Sequence, residues 1–282
     1  MLPAFILLLR EGLEASLIVS IMLAALRQLG KTREIRAVWI GVSLAVICSA
    51  IGGYIIYSTV REYNNTTFQT VFETITYIVA VGLLTSMTFW MQRHSRTMKR
   101  ELTDRAAVAG SGFALGLLAF TSVGREGLES AVFALAFAFQ TTGALWVTGA
   151  ALGLLSSVGL SWAIYRMGYR LDFRLFFRWM GILLLVFAAG LVADAIQNMQ
   201  ELGWITFGNL HLWNTGHVLS EDSVLGDMLH AFLGYAQSPT ALQLTLYLLF
   251  LIAFGGYFLH MTRKPGVTPP AATRSVAPAP RG

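Results

Sequence analysis

Cysteine occurs once in the 282 residues, at Cys48. A single thiol excludes an intrachain disulfide and a thiolate-bound metal cluster built within one chain. Charge is scarce too: Asp, Glu, Lys and Arg make up 12% of the residues, against about 25% in an average soluble domain. There are only five histidines, and none falls deep in an apolar segment; His260 is at the end of one. That argues against an intramembrane metallohydrolase and against a haem carrier, which need ligands at depth. No Walker-type phosphate loop occurs, so ATP hydrolysis is not indicated.

What is abundant is apolar. Hydrophobic residues reach 55% and mean hydropathy is +0.62. A membrane span needs about 20 predominantly apolar residues. Seven segments qualify, at about 2–26, 37–60, 68–92, 107–138, 143–165, 177–198 and 241–262. The expected fold is all-α: a polytopic membrane protein with seven transmembrane helices filling residues 1–262. Gly30 is placed to end the first helix. The Pro- and Ala-rich stretch 263–282 cannot bury a core and is expected to be a disordered cytoplasmic tail.

The basic residues orient the chain. Four cluster between spans one and two (Arg27, Lys31, Arg33, Arg36). Five lie between three and four (Arg93, Arg96, Lys99, Arg100, Arg105). Four lie between five and six (Arg166, Arg170, Arg174, Arg178), and four follow span seven (Arg263, Lys264, Arg274, Arg281). The opposite side has only Arg61. The positive-inside rule then puts the N-terminus out and the C-terminus in. The pI near 9.6 therefore reports membrane orientation and not nucleic-acid binding. The one long loop, 199–240, contains no Lys or Arg. Within it Val224, Leu225, Met228, Leu229, Phe232 and Leu233 follow helical spacing after Ser220, a candidate cap.

Against this background one pentapeptide stands out. Arg10-Glu11-Gly12-Leu13-Glu14 recurs as Arg125-Glu126-Gly127-Leu128-Glu129. Charged side chains at a bilayer midplane cost about 2.5–3.5 kcal/mol each on insertion scales. The copies lie on spans one and four, so an odd number of spans separates them and the second runs in the opposite direction. Spans one to three (about 1–92) and four to six (about 107–198) form a candidate inverted repeat, with span seven added. Such repeats place transport sites at their interface near the midplane. Counted at 1.5 Å per residue, both clusters lie roughly 14–20 Å from the outer end of their spans. On a helix Arg10 and Glu14 are i, i+4 neighbours, and Glu11 and Glu14 are i, i+3 neighbours. Gly12 and Gly127 allow another helix to approach. Four carboxylates and two guanidiniums have a formal charge of −2. That suits a hard cation held by oxygens. A structural ion pair is the competing reading, but two clusters each with an excess carboxylate favour coordination or conduction.

Two Arg-Glu-x-x-Glu motifs in the first and fourth of seven spans resemble the oxidase-dependent high-affinity iron permease family. The closest subgroup is the bacterial permease subunit of the three-component iron uptake system. The resemblance implies a bacterial cytoplasmic-membrane permease importing iron, ferric after oxidation by a partner, with iron as substrate and no permanently bound cofactor. It implies extracytoplasmic iron-oxidising or iron-binding partners. By motif match it assigns Glu11, Glu14, Glu126 and Glu129 as iron ligands, with Arg10 and Arg125 alongside. Glu73 and Asp194, in the outer third of their spans, form a candidate outer relay. Glu221 and Asp222 match the family's outer-loop acidic motif only loosely. The alternatives are another cation (ferrous iron, lead or manganese) and a glutamate-dependent hydrolase. Met87 and Met91, one turn apart, and His211, His217 and His230 are read as packing and loop residues.

Overall fold

The computed structural model describes residues 2–62, 66–94, 98–109, 111–140, 143–167, 173–221 and 223–263. The expected tail thus lies outside the described residues, except Arg263 at the end of a helix. The chain is helical, with ten α-helices among the described residues: α1 Leu2–Gln28, α2 Ile35–Glu62, α3 Thr67–His94, α4 Met98–Val108, α5 Gly112–Gln140, α6 Gly143–Met167, α7 Phe173–Glu201, α8 Val224–Leu233, α9 Ala241–Phe250 and α10 Gly256–Arg263. A π-helical turn, Leu251–Gly255, joins α9 to α10, so the last apolar segment is one interrupted helix.

Four helical stretches are long and apolar enough to cross a membrane: Thr32–Thr59, Thr67–Arg93, Phe177–Glu201 and Ala241–Thr262. α1 and α5 have the length, at 27 and 29 residues, but each carries the charged pentapeptide in its interior. α2 turns outward a stripe of Ile40, Leu44, Ile47, Ile51 and Ile55, each at least half exposed. Water would penalise such a surface; lipid does not. This is a membrane protein.

α2 packs chiefly on α5, α1 on α6 and α3 on α7, while α1 and α5 meet each other. Two apolar clusters bracket the middle of that meeting. One joins Leu7 and Leu8 of α1 to Phe133 and Ala136 of α5, with Leu84 of α3 and Phe187 of α7. The other joins Met22 and Leu26 of α1 to Leu115 and Ala119 of α5, with Leu102 and Ala106 of α4. The early turns of α1 meet the late turns of α5, and the reverse, so the two helices pass in opposite directions. Residues 10–14 and 125–129 fall in the layer between the two clusters.

α4 is a finding of the structure. Residues 98–108 read as loop because Lys99, Arg100, Glu101, Asp104 and Arg105 crowd them. Leu102 and Ala106, one turn apart, nevertheless bury against α1 and α5. Lys31 donates to the carbonyls of Ala107 (3.4 Å) and Ala109 (2.9 Å) at the end of α4. The helix over 224–233 is present, but its cap is Ser223, whose side chain accepts from the Gly226 N–H, and not Ser220. Gly30 ends α1 with φ 70°, as its sequence position implies.

Candidate functional site

Gly12 and Gly127 set the spacing of the site. A Cβ on Gly12 would lie 2.2 Å from Ser157 Oγ of α6, and one on Gly127 would lie 2.2 Å from Ser49 Oγ of α2. Each pentapeptide therefore has a serine-bearing helix pressed onto its glycine. The carboxylates on either side are turned towards the α1–α5 contact.

In α1, Arg10 is buried and bridges two acids. Its Nη1 donates to Glu11 Oε1 at 2.9 Å, and its Nη2 lies 2.9 Å from Glu14 Oε1, off hydrogen-bond geometry. In α5, Arg125 donates from Nε to Glu129 Oε1 at 2.9 Å, its side chain is 51% exposed, and its guanidinium stacks over Trp90 at 5.1 Å. One arginine thus holds two glutamates and the other holds one.

The acids converge across the two helices. Oxygen atoms of Glu11, Glu126 and Glu129 all lie within 4.8 Å of one another, and the three residues are buried. Each keeps one buried oxygen with no hydrogen-bond partner: Glu11 Oε2, Glu126 Oε2 and Glu129 Oε2. Buried carboxylate oxygens left without partners at such spacing are costly, and any charge they carry adds repulsion. A cation among them removes both penalties. Glu14 is the one motif glutamate outside this trio, held against Arg10. Three hard oxygen donors, with no sulfur and no imidazole, define what the site can hold.

Two cavities flank the trio, and Glu126 is the residue common to both. One, of ≈ 570 Å³, opens between α2 and α6 and is lined by Glu11, Ser49, Tyr54, Tyr57, Glu126 and Ser130 among apolar groups. The other, of ≈ 280 Å³, lies on the α4 side and is lined by Glu14, Trp90, Glu101, Arg105, Arg125 and Glu126 among others. In the sequence Arg105 reads only as an orienting charge and Trp90 only as an interfacial tryptophan, while Ser49, Ser157 and Glu101 draw no notice. The small residues Gly12, Ser49, Gly127 and Ser157 in long apolar spans were the available signal for the two serines.

The described members of the candidate outer relay each have a local partner. Glu73 Oε1 accepts from Gln69 Nε2 at 2.7 Å. Asp194, buried on α7, has an oxygen 3.8 Å from His230 Nε2 of α8, and the Nδ1 of that ring donates to the Tyr235 carbonyl at 2.8 Å. Glu221 ties the 199–240 loop together: its carboxylate accepts from the Gln237 N–H and its own N–H donates to Gln237 Oε1. Asp222 lies outside the described residues. Met87 and Met91 are buried, consistent with packing.

The sequence pattern of the Iron permease FTR1 family matches residues 1–265. The chain is 38% identical over 285 residues to the ferrous iron permease EfeU of Yersinia pestis, an alignment covering 99% of this chain and 100% of that protein. It is 38% identical over 260 residues to the ferrous iron permease EfeU of Escherichia coli O157:H7, covering 89% and 93% of the two chains. No solved structure matches the chain. An all-helical membrane protein with paired Arg-Glu-x-x-Glu motifs, similar over its length to named iron permeases, belongs to the Iron permease FTR1 family and is a transporter rather than an enzyme.

Proposed function

We propose that this chain imports iron across a bacterial cytoplasmic membrane, the ion passing a midplane site built by Glu11, Glu126 and Glu129. The observation that carries the reading is the trio itself: three buried carboxylates from two helices within 4.8 Å, each with an orphaned oxygen. Arg10 aims Glu11 through its Nη1 contact, and Glu14 balances Arg10. Arg125 holds Glu129 and is free to exchange it for solvent contacts, because half its side chain is exposed.

The topology we assign is seven spans with the N-terminus out and the C-terminus in. The loop charges support it, and so does the anionic, lysine-free outer segment. An inverted repeat of α1–α3 against α5–α7 is supported by the packing. Exchanging α1 with α5, α2 with α6 and α3 with α7 maps the three main helix pairs onto themselves, and maps the Gly12–Ser157 contact onto Gly127–Ser49. An inside-negative potential would drive a cation inward at about 2.3 kcal/mol per charge per 100 mV.

Two oxidation states have support. The all-carboxylate donor set suits ferric iron, delivered after oxidation by an extracytoplasmic partner. The relatives are named ferrous iron permeases, which favours ferrous iron. Labelled-iron uptake into proteoliposomes holding only this chain separates them, with iron supplied as ferric citrate or kept ferrous by ascorbate. In either form Glu126→Gln and Glu129→Gln are expected to abolish uptake while the protein stays in the membrane. Wild-type uptake by both variants would end the site reading.

A further inference from the structure

The ≈ 280 Å³ cavity on the α4 side is the feature the site reading leaves unused. Its wall is built by an element that the apolar spans do not predict. α4 is pinned by Leu102 and Ala106 in the apolar cluster below the trio and by Lys31 at its C-terminal end. That pinning brings Glu101 and Arg105 to a cavity whose other side is Glu14, Arg125 and Glu126. Glu126 reaches the cavity from the trio. It is 7% exposed, and its Oε2 has no hydrogen-bond partner. The volume accommodates several water molecules at about 30 Å³ each, so a partly hydrated ion fits.

The charges are arranged to receive a cation. Arg125 is already held by Glu129 and by the face of Trp90. Glu14 is likewise held by Arg10, so Glu101 and Glu126 face the one remaining guanidinium of the lining, Arg105. Loop charges place α4, with Lys99, Arg100 and Arg105, on the cytoplasmic side.

We infer that this cavity is a second, transient iron site on the exit side of the trio, with Glu101 supplying a carboxylate that takes the ion as it leaves Glu126. The inference rests on the proposed path through Glu11, Glu126 and Glu129. The ion moves from three buried oxygens to a wetter site where one ligand is exposed. Exchange of the Arg125–Glu129 pair for solvent contacts opens the step. Binding to the trio does not need Glu101; departure from it does.

The test uses the full chain, with iron uptake into proteoliposomes under an imposed potential and iron binding to the detergent-solubilised protein measured in parallel. Glu101→Gln is expected to lower uptake at saturating iron about tenfold and to leave iron binding unchanged, because a group used after binding affects turnover and not affinity. Glu101→Asp keeps the charge and is expected to restore most of the uptake. Wild-type uptake by Glu101→Gln overturns the inference. So does equal loss in the Gln and Asp variants, which would make Glu101 a packing residue of α4. Loss of iron binding in Glu101→Gln also overturns it, by making Glu101 part of the first site. Glu129→Gln, run alongside, keeps the two readings apart. If it binds and transports iron normally, the trio fails; if it abolishes binding while Glu101→Gln transports normally, only the exit site fails.

Discussion

In α1 the arginine of the repeated pentapeptide is buried and bridges two glutamates; in α5 the same arginine is half exposed, holds one glutamate and rests on Trp90. The leucines differ as sharply. Leu13 is 5% exposed and Leu128 is 65% exposed. Five identical letters thus have two environments, because different helices surround them. The α4-side cavity lies along Arg125 and leaves Arg10 enclosed. The consequence is chemical. Copy one is locked by its own arginine, whereas copy two has a surplus acid, Glu126, that faces both cavities. Under the proposed function, the first copy would hold its acids in place and the second would let an ion through.

The comparison is broken most directly at the arginines. Arg10→Leu leaves Glu11 and Glu14 buried without a counter-charge and is expected to cost about 3–5 kcal/mol, enough to abolish stable expression. Arg125→Leu loses a half-exposed pair and a ring contact, and is expected to cost about 1 kcal/mol. Thermal denaturation of the two purified variants in detergent measures the difference; equal losses would refute the asymmetry.

The glycines test the part that the two copies share. Gly12→Ala and Gly127→Ala each force a Cβ into a serine, at about 1–3 kcal/mol. Pairing Gly127→Ala with Ser49→Gly should recover most of that loss, as Gly12→Ala with Ser157→Gly should in the other copy. Failure of either rescue would show that the helix contact is not made at that serine.

The smallest expected effect on stability is the sharpest discriminator. Glu14→Gln removes a partner of Arg10 and should destabilise the iron-free protein by about 1 kcal/mol. Glu126→Gln replaces an acid whose Oε2 has no partner and should leave stability within about 0.5 kcal/mol of wild type, or raise it. Yet Glu126→Gln should abolish iron uptake. A destabilised Glu126→Gln protein would show that its carboxylate has a structural partner after all.

Much of this was legible in the residues. Apolar runs reveal the membrane class, loop charges suggest an orientation, and the repeated pentapeptide marks the candidate site, because charge inside hydrocarbon demands a reason. The helix over 224–233 follows from its spacing. Other features were not legible, for identifiable reasons. α4 is polar enough to read as loop, and Leu102 and Ala106 gain meaning only beside Met22, Leu26, Leu115 and Ala119. A π-turn adds a residue per turn without altering hydropathy, so the break at Leu251–Gly255 leaves no trace in composition. Glu221 bonds Gln237 through both its carboxylate and its N–H, a pairing across the 199–240 loop that sequence position does not show.

Sequence alone determined that α1 and α5 each carry an Arg-Glu-Glu set at similar depth, since helical rise converts residue count into distance. It could not determine which acids converge. Glu11, Glu126 and Glu129 converge while Glu14 stays with Arg10, and that choice belongs to the tertiary structure. The physical reason is that pairing among buried charges depends on which helix lies opposite and how closely, a matter of ångströms that Gly12, Gly127 and their serine neighbours set.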